Sequence, residues 1–88
     1  MPTIIGRHKV GDINAWLAGH QDRLDLFAPV SSGFRSFQDM DDPNSVVLII
    51  ETDDVEKLAS VINDPAHDQV KARHTVIEPV IISAELSF

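Results

Sequence analysis

Five consecutive aliphatic residues, Val46 to Ile50, lie between a polar turn and an acidic stretch. Successive side chains of a β-strand point to opposite faces of the sheet, so a strand that is apolar at every position needs cover on both faces. A chain of 88 residues supplies about one layer of helices over one sheet. We therefore expect a second copy of the chain to cover the other face, which predicts a homodimer.

The first 30 residues predict a strand followed by one helix. Residues 3 to 10 suit a strand, and Asp12 is a suitable helix N-cap. Apolar residues then recur with helical spacing at positions 13, 16, 17, 24, 27 and 28. Pro29 and the Ser-Ser-Gly sequence at 31 to 33 end the helix. The polar residues in between are predicted to face water: Asn14, Gln21, Asp22, Arg23 and Asp25.

The remaining residues predict a hairpin, a second helical segment and a last strand. Residues 34 to 38 alternate as an edge strand does, and the short turn at 39 to 45 joins them to the aliphatic strand as an antiparallel hairpin. Asp53 and Glu56 stand at capping-box spacing before the second helix, which Asp64 and Pro65 interrupt. Residues 76 to 86 predict the fourth strand, with Pro79 near its start or at a sheet edge.

The predicted order is therefore β-α-β-β-α-β, the α+β arrangement called ferredoxin-like, in a single domain over residues 1 to 88. Right-handed crossovers place strands one and three in the middle of the antiparallel sheet and both helices on one face. The open face stays apolar through Val47 and Ile49. We expect the chain to dimerise through that face into a barrel.

Charge and composition exclude several classes of function. The 14 acidic residues against 7 basic ones give a net charge of -7, which repels phosphate backbones, so nucleic acid is not expected as a partner. The absence of cysteine excludes disulfides, zinc thiolate sites and cysteine nucleophiles. The first residues resemble neither a signal peptide nor a membrane span. These observations predict a soluble cytoplasmic protein without a membrane partner.

Several short motifs carry a resemblance to a known superfamily. They are His8-Lys9-Val10 with Asp12 and Trp16, Asp42-Pro43-Asn44 before the aliphatic strand, Asp53-Asp54-Val55 at the second helix, and Asn63-Asp64-Pro65 before its last segment. With them the chain resembles the dimeric α+β barrel superfamily, including antibiotic-biosynthesis monooxygenase-like and stress-responsive barrel proteins. The resemblance implies two sheets packed face to face and pockets between sheet and helices. Similar members include cofactor-free oxygenases, isomerases, cyclases and haem-binding enzymes, so it implies architecture rather than one activity.

His8 is the candidate catalytic residue. Alternation places it on the same strand face as Ile4 and Val10, which we take to be the helix-covered face. A neutral imidazole in an apolar cleft can act as a general acid or base near pH 7. The alternative is a buried histidine whose ring is satisfied by a carbonyl or carboxylate.

Four further residues are candidates for substrate binding: Trp16, His20, Arg35 and His74. Trp16 and His20, one helical turn apart, could wall the same pocket, although Trp16 also suits core packing and His20 could reach the surface. Arg35 could bind a carboxylate if its strand face enters the barrel, or it could pair with Asp39 or Glu51. His74 is placed at the pocket mouth, whereas His67 is expected to be solvated.

No metal site or cofactor is expected. The histidines and carboxylates lack the paired helical spacing that places two ligands on one face, and residues 39 to 42 lack calcium-loop spacing. The four glycines are scattered, so no phosphate loop is predicted.

Two functions of different classes remain open. The first is cofactor-independent oxygenation or isomerisation of a small apolar or aromatic metabolite, with His8 as the acid-base group. The second is a non-catalytic homodimeric ligand-binding or structural module. The first predicts a closed cavity of a few hundred Å³ that touches His8, whereas a structural module predicts that side chains fill this space.

Overall fold

The structure, a computed structural model, describes residues 2 to 86. Its strands are β1 (Thr3–Val10), β2 (Gly33–Gln38), β3 (Ser45–Glu51) and β4 (Val76–Ala84). Its helices are α1 (Ile13–Ala18), α2 (His20–Phe27), α3 (Val55–Asn63) and α4 (Asp68–Arg73), with a short 3-10 turn (Pro65–His67) between α3 and α4. None of the helices in this part of the chain is long and apolar enough to cross a membrane.

The four strands form one antiparallel sheet in the order β2-β3-β1-β4. The prediction that the first and third strands are central is confirmed, as is the α+β ferredoxin-like topology. β1 and β3 pair from Thr3 opposite Glu51 to Lys9 opposite Ser45, which is the full length of β3. The most apolar strand therefore lies between two neighbours, where its backbone groups are all paired and its side chains are most covered.

The helix-covered face of the sheet holds the hydrophobic core. Along β1 burial alternates strictly, with Ile4 and Val10 almost fully buried, as the period of a strand requires. Val46, Leu48 and Ile50 of β3 point to the same side. Full burial of each such side chain stabilises the fold by about 1.5–3 kcal/mol. Trp16, Phe27, Leu58 and Ile62 cover this face from the helices.

The opposite face of the sheet carries exposed apolar side chains. In the single chain, Ile5 is 39% exposed, Phe37 44%, Ile77 50% and Ile81 56%. The strand register places all four on the side away from the helices, together with Val47 and Ile49. We call these six residues the open face. Arg7 stands between Val47 and Ile81 on the same side, so a charged side chain divides the apolar surface. Six apolar side chains on one sheet face are still unusual for a chain that stays alone in water.

The first helical segment is two helices, which corrects the prediction of one continuous helix. α1 ends at Ala18 and α2 begins at His20. Gly19, between them, is buried, and a Cβ there would lie 2.3 Å from Nε2 of His74. Because the helix restarts here, the residues that face inward change. Arg23, predicted to face water, is buried, whereas Leu17 and Leu24, predicted to lie inside, are 56% and 38% exposed.

Two of the predicted helix N-caps are present in the structure, and a third is one residue away from its predicted position. Asp12 accepts from the amides of the first turn of α1, and Asp64 caps the 3-10 turn ahead of Pro65, both as predicted. The cap of α3 is Asp54, whose side chain accepts from the amide of Lys57 at 3.0 Å, so the prediction of Asp53 was wrong. Aspartates stand at both positions, and the capping-box spacing of Asp53 with Glu56 pointed to the wrong one.

Candidate functional site

A partly open cavity lies between the helix-covered face of the sheet and the helices. Gly6 and Leu48 belong to its sheet side, and Phe27 and Val70 to its helical side. About 70 Å³ is open to the centres of water molecules. One water needs about 10–15 Å³ by this measure, so the cavity holds on the order of five waters. It is smaller than the few hundred Å³ predicted for a ligand-binding barrel, yet it is not filled by side chains.

His8 lines this cavity from β1, on the face that alternation predicted. Its Nδ1 donates to the carbonyl of Lys9 at 2.9 Å, so the neutral ring has its lone pair on Nε2. Burial lowers the pKa of His8, while the hydrogen bond to Lys9 opposes that shift. The imidazole is therefore neutral at pH 7 and can accept a proton at Nε2.

The strand beside His8 is irregular. In the pairing of β1 with β4, Arg7 stands opposite Ile81 and Lys9 opposite Ile77, so residues 78 to 80 of β4 face the single residue His8. This bulge includes Pro79 and brings Val80 to the cavity wall. Bulges of this type recur beside active sites because they redirect side chains locally.

Trp16 forms a wall of the cavity and part of the core at the same time. It is 2% exposed, and its ring meets that of His8 edge to face, with centroids 5.9 Å apart. The guanidinium carbon of Arg23 lies over the ring at 3.9 Å from its centroid, a cation–π distance. The two readings of Trp16 from sequence, pocket wall and core residue, both describe its position.

Arg23 is one of three polar cavity residues that the sequence analysis did not place there. It is 5% exposed and lines the cavity from α2. Burial lowers the pKa of Arg23 to about 10, and the charge of Asp22 opposes the shift, so the guanidinium remains a cation at pH 7. The signal that could have found it is spacing, because Arg23 stands seven positions after Trp16 and four before Phe27.

His74 also lines the cavity and joins Arg23 to a carboxylate. The imidazole is 5% exposed; its Nδ1 accepts from Nη1 of Arg23 at 3.4 Å, and its Nε2 donates to Asp22 at 3.0 Å. An arginine can only donate, so this arrangement requires the ring tautomer that is protonated at Nε2. The close approach of α2 to this ring depends on Gly19.

The other two sequence candidates lie away from the cavity. His20 is exposed, and its ring packs edge to face on Phe34 at 5.6 Å. Arg35 projects from the same side of the sheet as the open face, 5.6 Å from the ring of Phe37. The cavity thus brings together His8, Trp16 and His74 and leaves out His20 and Arg35.

Two residues that were not expected there complete the polar lining. His67, expected to be solvated, is half-buried at the cavity, where its Nδ1 donates to the carbonyl of Val61 at 2.8 Å. Lys71 reaches the same space and pairs with Glu78 at 2.9 Å. We call His8, Arg23, His67, Lys71 and His74 the basic lining.

The charged side chains at the cavity wall are opposite in sign to the net charge of the chain. The whole chain carries a net charge of -7, yet the long polar side chains on the cavity wall are those of the basic lining. No Asp or Glu lines the cavity in the part of the chain that the structure describes. The same residues contain no group of three or more histidines and carboxylates that could hold a metal ion. The site is therefore an apolar cavity with two cationic side chains, Arg23 and Lys71, and three imidazole rings at its wall.

The element order and the strand order β2-β3-β1-β4 define a ferredoxin-like α+β fold, which solved structures described as antibiotic biosynthesis monooxygenases share. No family model matches the sequence, and no curated protein matches it. Solved structures do. A crystal structure described as antibiotic biosynthesis monooxygenase has 16% identity and a TM-score of 0.69, covering 100% of this chain and 99% of the other.

Two further solved structures match this chain at similar identity. A protein from Agrobacterium tumefaciens has 18% identity and a TM-score of 0.68, over 98% of this chain and 92% of its own. SnoaB from Streptomyces nogalater, a cofactor-independent oxygenase, has 18% identity and a TM-score of 0.64, over 99% of this chain and 92% of its own. At these identities the likeness establishes a shared fold.

Proposed function

We propose that the protein is a homodimeric enzyme that performs cofactor-independent oxygenation or isomerisation of a small aromatic or apolar metabolite in the cytoplasm, with His8 as the acid-base residue. The observation that carries the proposal is the unfilled cavity whose wall includes His8 with Nε2 as its basic nitrogen. The fold shared with SnoaB, a cofactor-independent oxygenase, supports the oxygenase reading.

The chemistry begins with proton transfer. Nε2 of His8 takes a proton from an acidic C–H or O–H of the substrate, which leaves an enolate or phenolate in the cavity. In the oxygenase reading, that anion reacts with molecular oxygen, so that a CH2 group becomes a carbonyl and one water leaves. In the isomerase reading, His8 returns the proton to a different carbon. Trp16 supports the ring of His8 by an edge-to-face contact, with centroids 5.9 Å apart.

A second candidate is a non-catalytic ligand-binding module. The lowered pKa of His8 favours it, because a base with a low pKa gains less by taking a proton. The cavity would then bind its ligand without changing it. Both candidates predict that the cavity binds a ligand, and only the enzyme predicts that the ligand is converted.

The homodimer is supported by the open face. Ile5, Phe37, Ile77 and Ile81 are all at least 39% exposed in the single chain. Two copies that pack these faces together would cover both sides of the central strands, as the aliphatic run at 46 to 50 requires.

The test is proton exchange and oxygen uptake with a set of small phenols and enolisable aryl ketones. We expect the wild-type protein to speed deuterium incorporation from D2O or oxygen consumption with at least one compound. His8→Gln should lower that rate by about 10²-fold or more, since general base catalysis contributes about that much. Gln21→Ala, at an exposed position of α2, is the control and should keep the wild-type rate.

Binding measured in parallel separates the two candidates. Native mass spectrometry of the purified protein reports a retained ligand, which we expect His8→Ala to lose while remaining dimeric. Compounds that bind the cavity without exchange or oxygen uptake would favour the non-catalytic module. A His8→Gln variant with the wild-type rate would remove His8 from the mechanism.

A further inference from the structure

Arg23 is a buried cation in a position that costs stability. It is 5% exposed. Its Nη1 donates to the neutral ring of His74 at 3.4 Å, and its Nε is buried without a hydrogen-bond partner among residues 2 to 86. A cation removed from water without an anion in contact and a buried donor without an acceptor both destabilise a fold. Buried polar groups are almost always satisfied, so this exception points to a role beyond folding.

Two contacts hold the guanidinium in place. Its central carbon lies 3.9 Å from the centroid of the Trp16 ring. His74 accepts from Nη1 and donates from its own Nε2 to Asp22 at 3.0 Å, so the imidazole is held at both nitrogens. The same imidazole packs against Gly19, where an added side chain would collide with it. Asp22 and His74 therefore fix the guanidinium, and Trp16 lies against it.

Trp16 connects Arg23 to His8. Its ring contacts the guanidinium, and it meets the imidazole of His8 edge to face with centroids 5.9 Å apart. Arg23 and His8 also line the same apolar cavity, where charges interact more strongly than they do in water. A change at Arg23 can therefore reach His8 in two ways, through the position of the indole ring and through the electric field of the cation.

The titratable groups around His8 come from several elements. They are Arg23 of α2, His67 of the 3-10 turn, Lys71 of α4, His74 after α4, and Glu78 of β4. Burial is the largest cause that lowers the pKa of His8, and the hydrogen bond to the carbonyl of Lys9 opposes it. The positive charge of Arg23 comes next and lowers the pKa further. Glu78 and Lys71, which pair with each other, act more weakly and in opposite directions. Arg23 is therefore the strongest charged influence on His8.

We propose that Arg23 is a positioning residue for His8: it holds the ring of Trp16 against which the imidazole packs, and its fixed positive charge disfavours the imidazolium form, so that Nε2 keeps its lone pair. Arg23 acts through Trp16 and across the apolar cavity, without touching the substrate. The inference deepens the proposed function, because it names the group that regulates the acid-base residue of the same site, and it rests on His8 acting there as the base.

The pKa of His8 is the first measurement, taken from the ring signals of the full-length protein in NMR spectra at a series of pH values. Arg23→Gln removes the charge and should raise the pKa of His8 toward its ordinary value of 6.5. Arg23→Lys keeps the charge and should leave the pKa close to that of the wild type. Lys71→Gln is the matched control, because it removes a cation from the same cavity wall and should raise the pKa of His8 less than Arg23→Gln does.

The ring contacts are the second measurement. Lysine lacks the planar group that packs on an indole, so Arg23→Lys should shift the ring-proton signals of Trp16 and His8 although the pKa of His8 is kept. Where a compound is turned over, the acid limb of the pH–rate profile reports the base of the free enzyme. That limb should move to higher pH in Arg23→Gln and stay in place in Arg23→Lys. A residue needed only for folding would move neither the pKa nor the limb.

Arg23→Met covers the case in which Arg23→Gln fails to fold. It replaces the cation with an apolar side chain of similar length, so no polar group is left buried at position 23, and it should also raise the pKa of His8. Whichever variants fold, the wild-type protein should show nuclear Overhauser contacts from the Nε–H of Arg23 to the ring of Trp16 and from that ring to the imidazole of His8. Their absence would overturn the inference.

The outcomes are distinct from those for catalysis. Equal pKa values of His8 in the wild type, Arg23→Gln and Arg23→Lys would overturn the inference, as would a larger rise in Lys71→Gln than in Arg23→Gln. A raised pKa in Arg23→Gln without His8-dependent turnover of any compound would keep the effect of Arg23 on His8 and count against the proposed enzyme. His8-dependent turnover with a pKa that Arg23→Gln does not move would do the reverse.

Discussion

Replacing Ile49 with aspartate tests the proposed dimer through the open face. Ile49 is half-buried in the single chain, and across the strands it stands opposite Ile5 on one side and Arg35 on the other. In a face-to-face dimer each copy contributes one Ile49. The substitution removes about 1 kcal/mol or more of apolar burial per copy and adds a charge that costs about 2 kcal/mol or more to desolvate.

These terms sum to about 6 kcal/mol or more for the two copies together, which raises the dissociation constant by about 10⁴-fold or more. The monomer should remain folded, because the core side of the sheet is untouched and Arg35 stands opposite the new carboxylate, a cross-strand pair that contributes about 0.2–1 kcal/mol. We therefore expect Ile49→Asp to be a folded monomer at micromolar concentration.

The assay is light scattering coupled to size exclusion, with circular dichroism to monitor folding. Ile50→Asp is the matched contrast, since Ile50 is 0% exposed on the other face of the same strand and its replacement should unfold the chain. Leu17→Asp, at a 56% exposed apolar position on the helical layer, should change neither size nor folding. A wild-type monomer at these concentrations, or an Ile49→Asp dimer of undiminished affinity, would refute the reasoning.

Three further predictions follow from the cavity and its supports. Gly6→Val should keep or raise the unfolding temperature, because a strand residue with a side chain fills open space. Gly11→Ala, at an exposed position where an added Cβ would meet Cβ of Thr75 at 3.6 Å, should change that temperature little. Calorimetry of unfolding checks both. The pKa of folded His8 lies below its ordinary value of 6.5, so between the two values the unfolded chain binds the proton that the folded chain excludes. The free energy of unfolding should therefore reach its full value above pH 6.5 and decrease as the pH drops toward the pKa of folded His8. Urea titrations at several pH values should show a smaller decrease for His8→Gln. Gly19→Ala should cost about 1–3 kcal/mol because its Cβ would lie 2.3 Å from Nε2 of His74. Adding His74→Ala should make the same change cheaper, and purely additive effects in that cycle would contradict the steric explanation.

Local pattern was enough to predict the sheet. Alternation along β1 and the aliphatic run of β3 assigned each side chain to a face, because a strand has a period of two whatever surrounds it. Element order then determined that these two strands are central, since crossovers of one hand leave few topologies. Alternation also predicted the face of the sheet on which His8 lies. The motif-based resemblance to the monooxygenase-like barrels agreed with the solved structures that share the fold.

Tertiary contacts decided the composition of the cavity. Helical spacing predicts an inward face only while the helix is continuous, and the break at Gly19 packs against His74, more than fifty residues along the chain. That break turned Arg23 inward, against Trp16, and left Leu24 38% exposed. The amino-acid sequence by itself determined the sheet, its two apolar faces and the placement of His8. The charge inside the cavity was decided by packing between distant segments, because a side chain's partners across the fold are not contained in the period of its own helix.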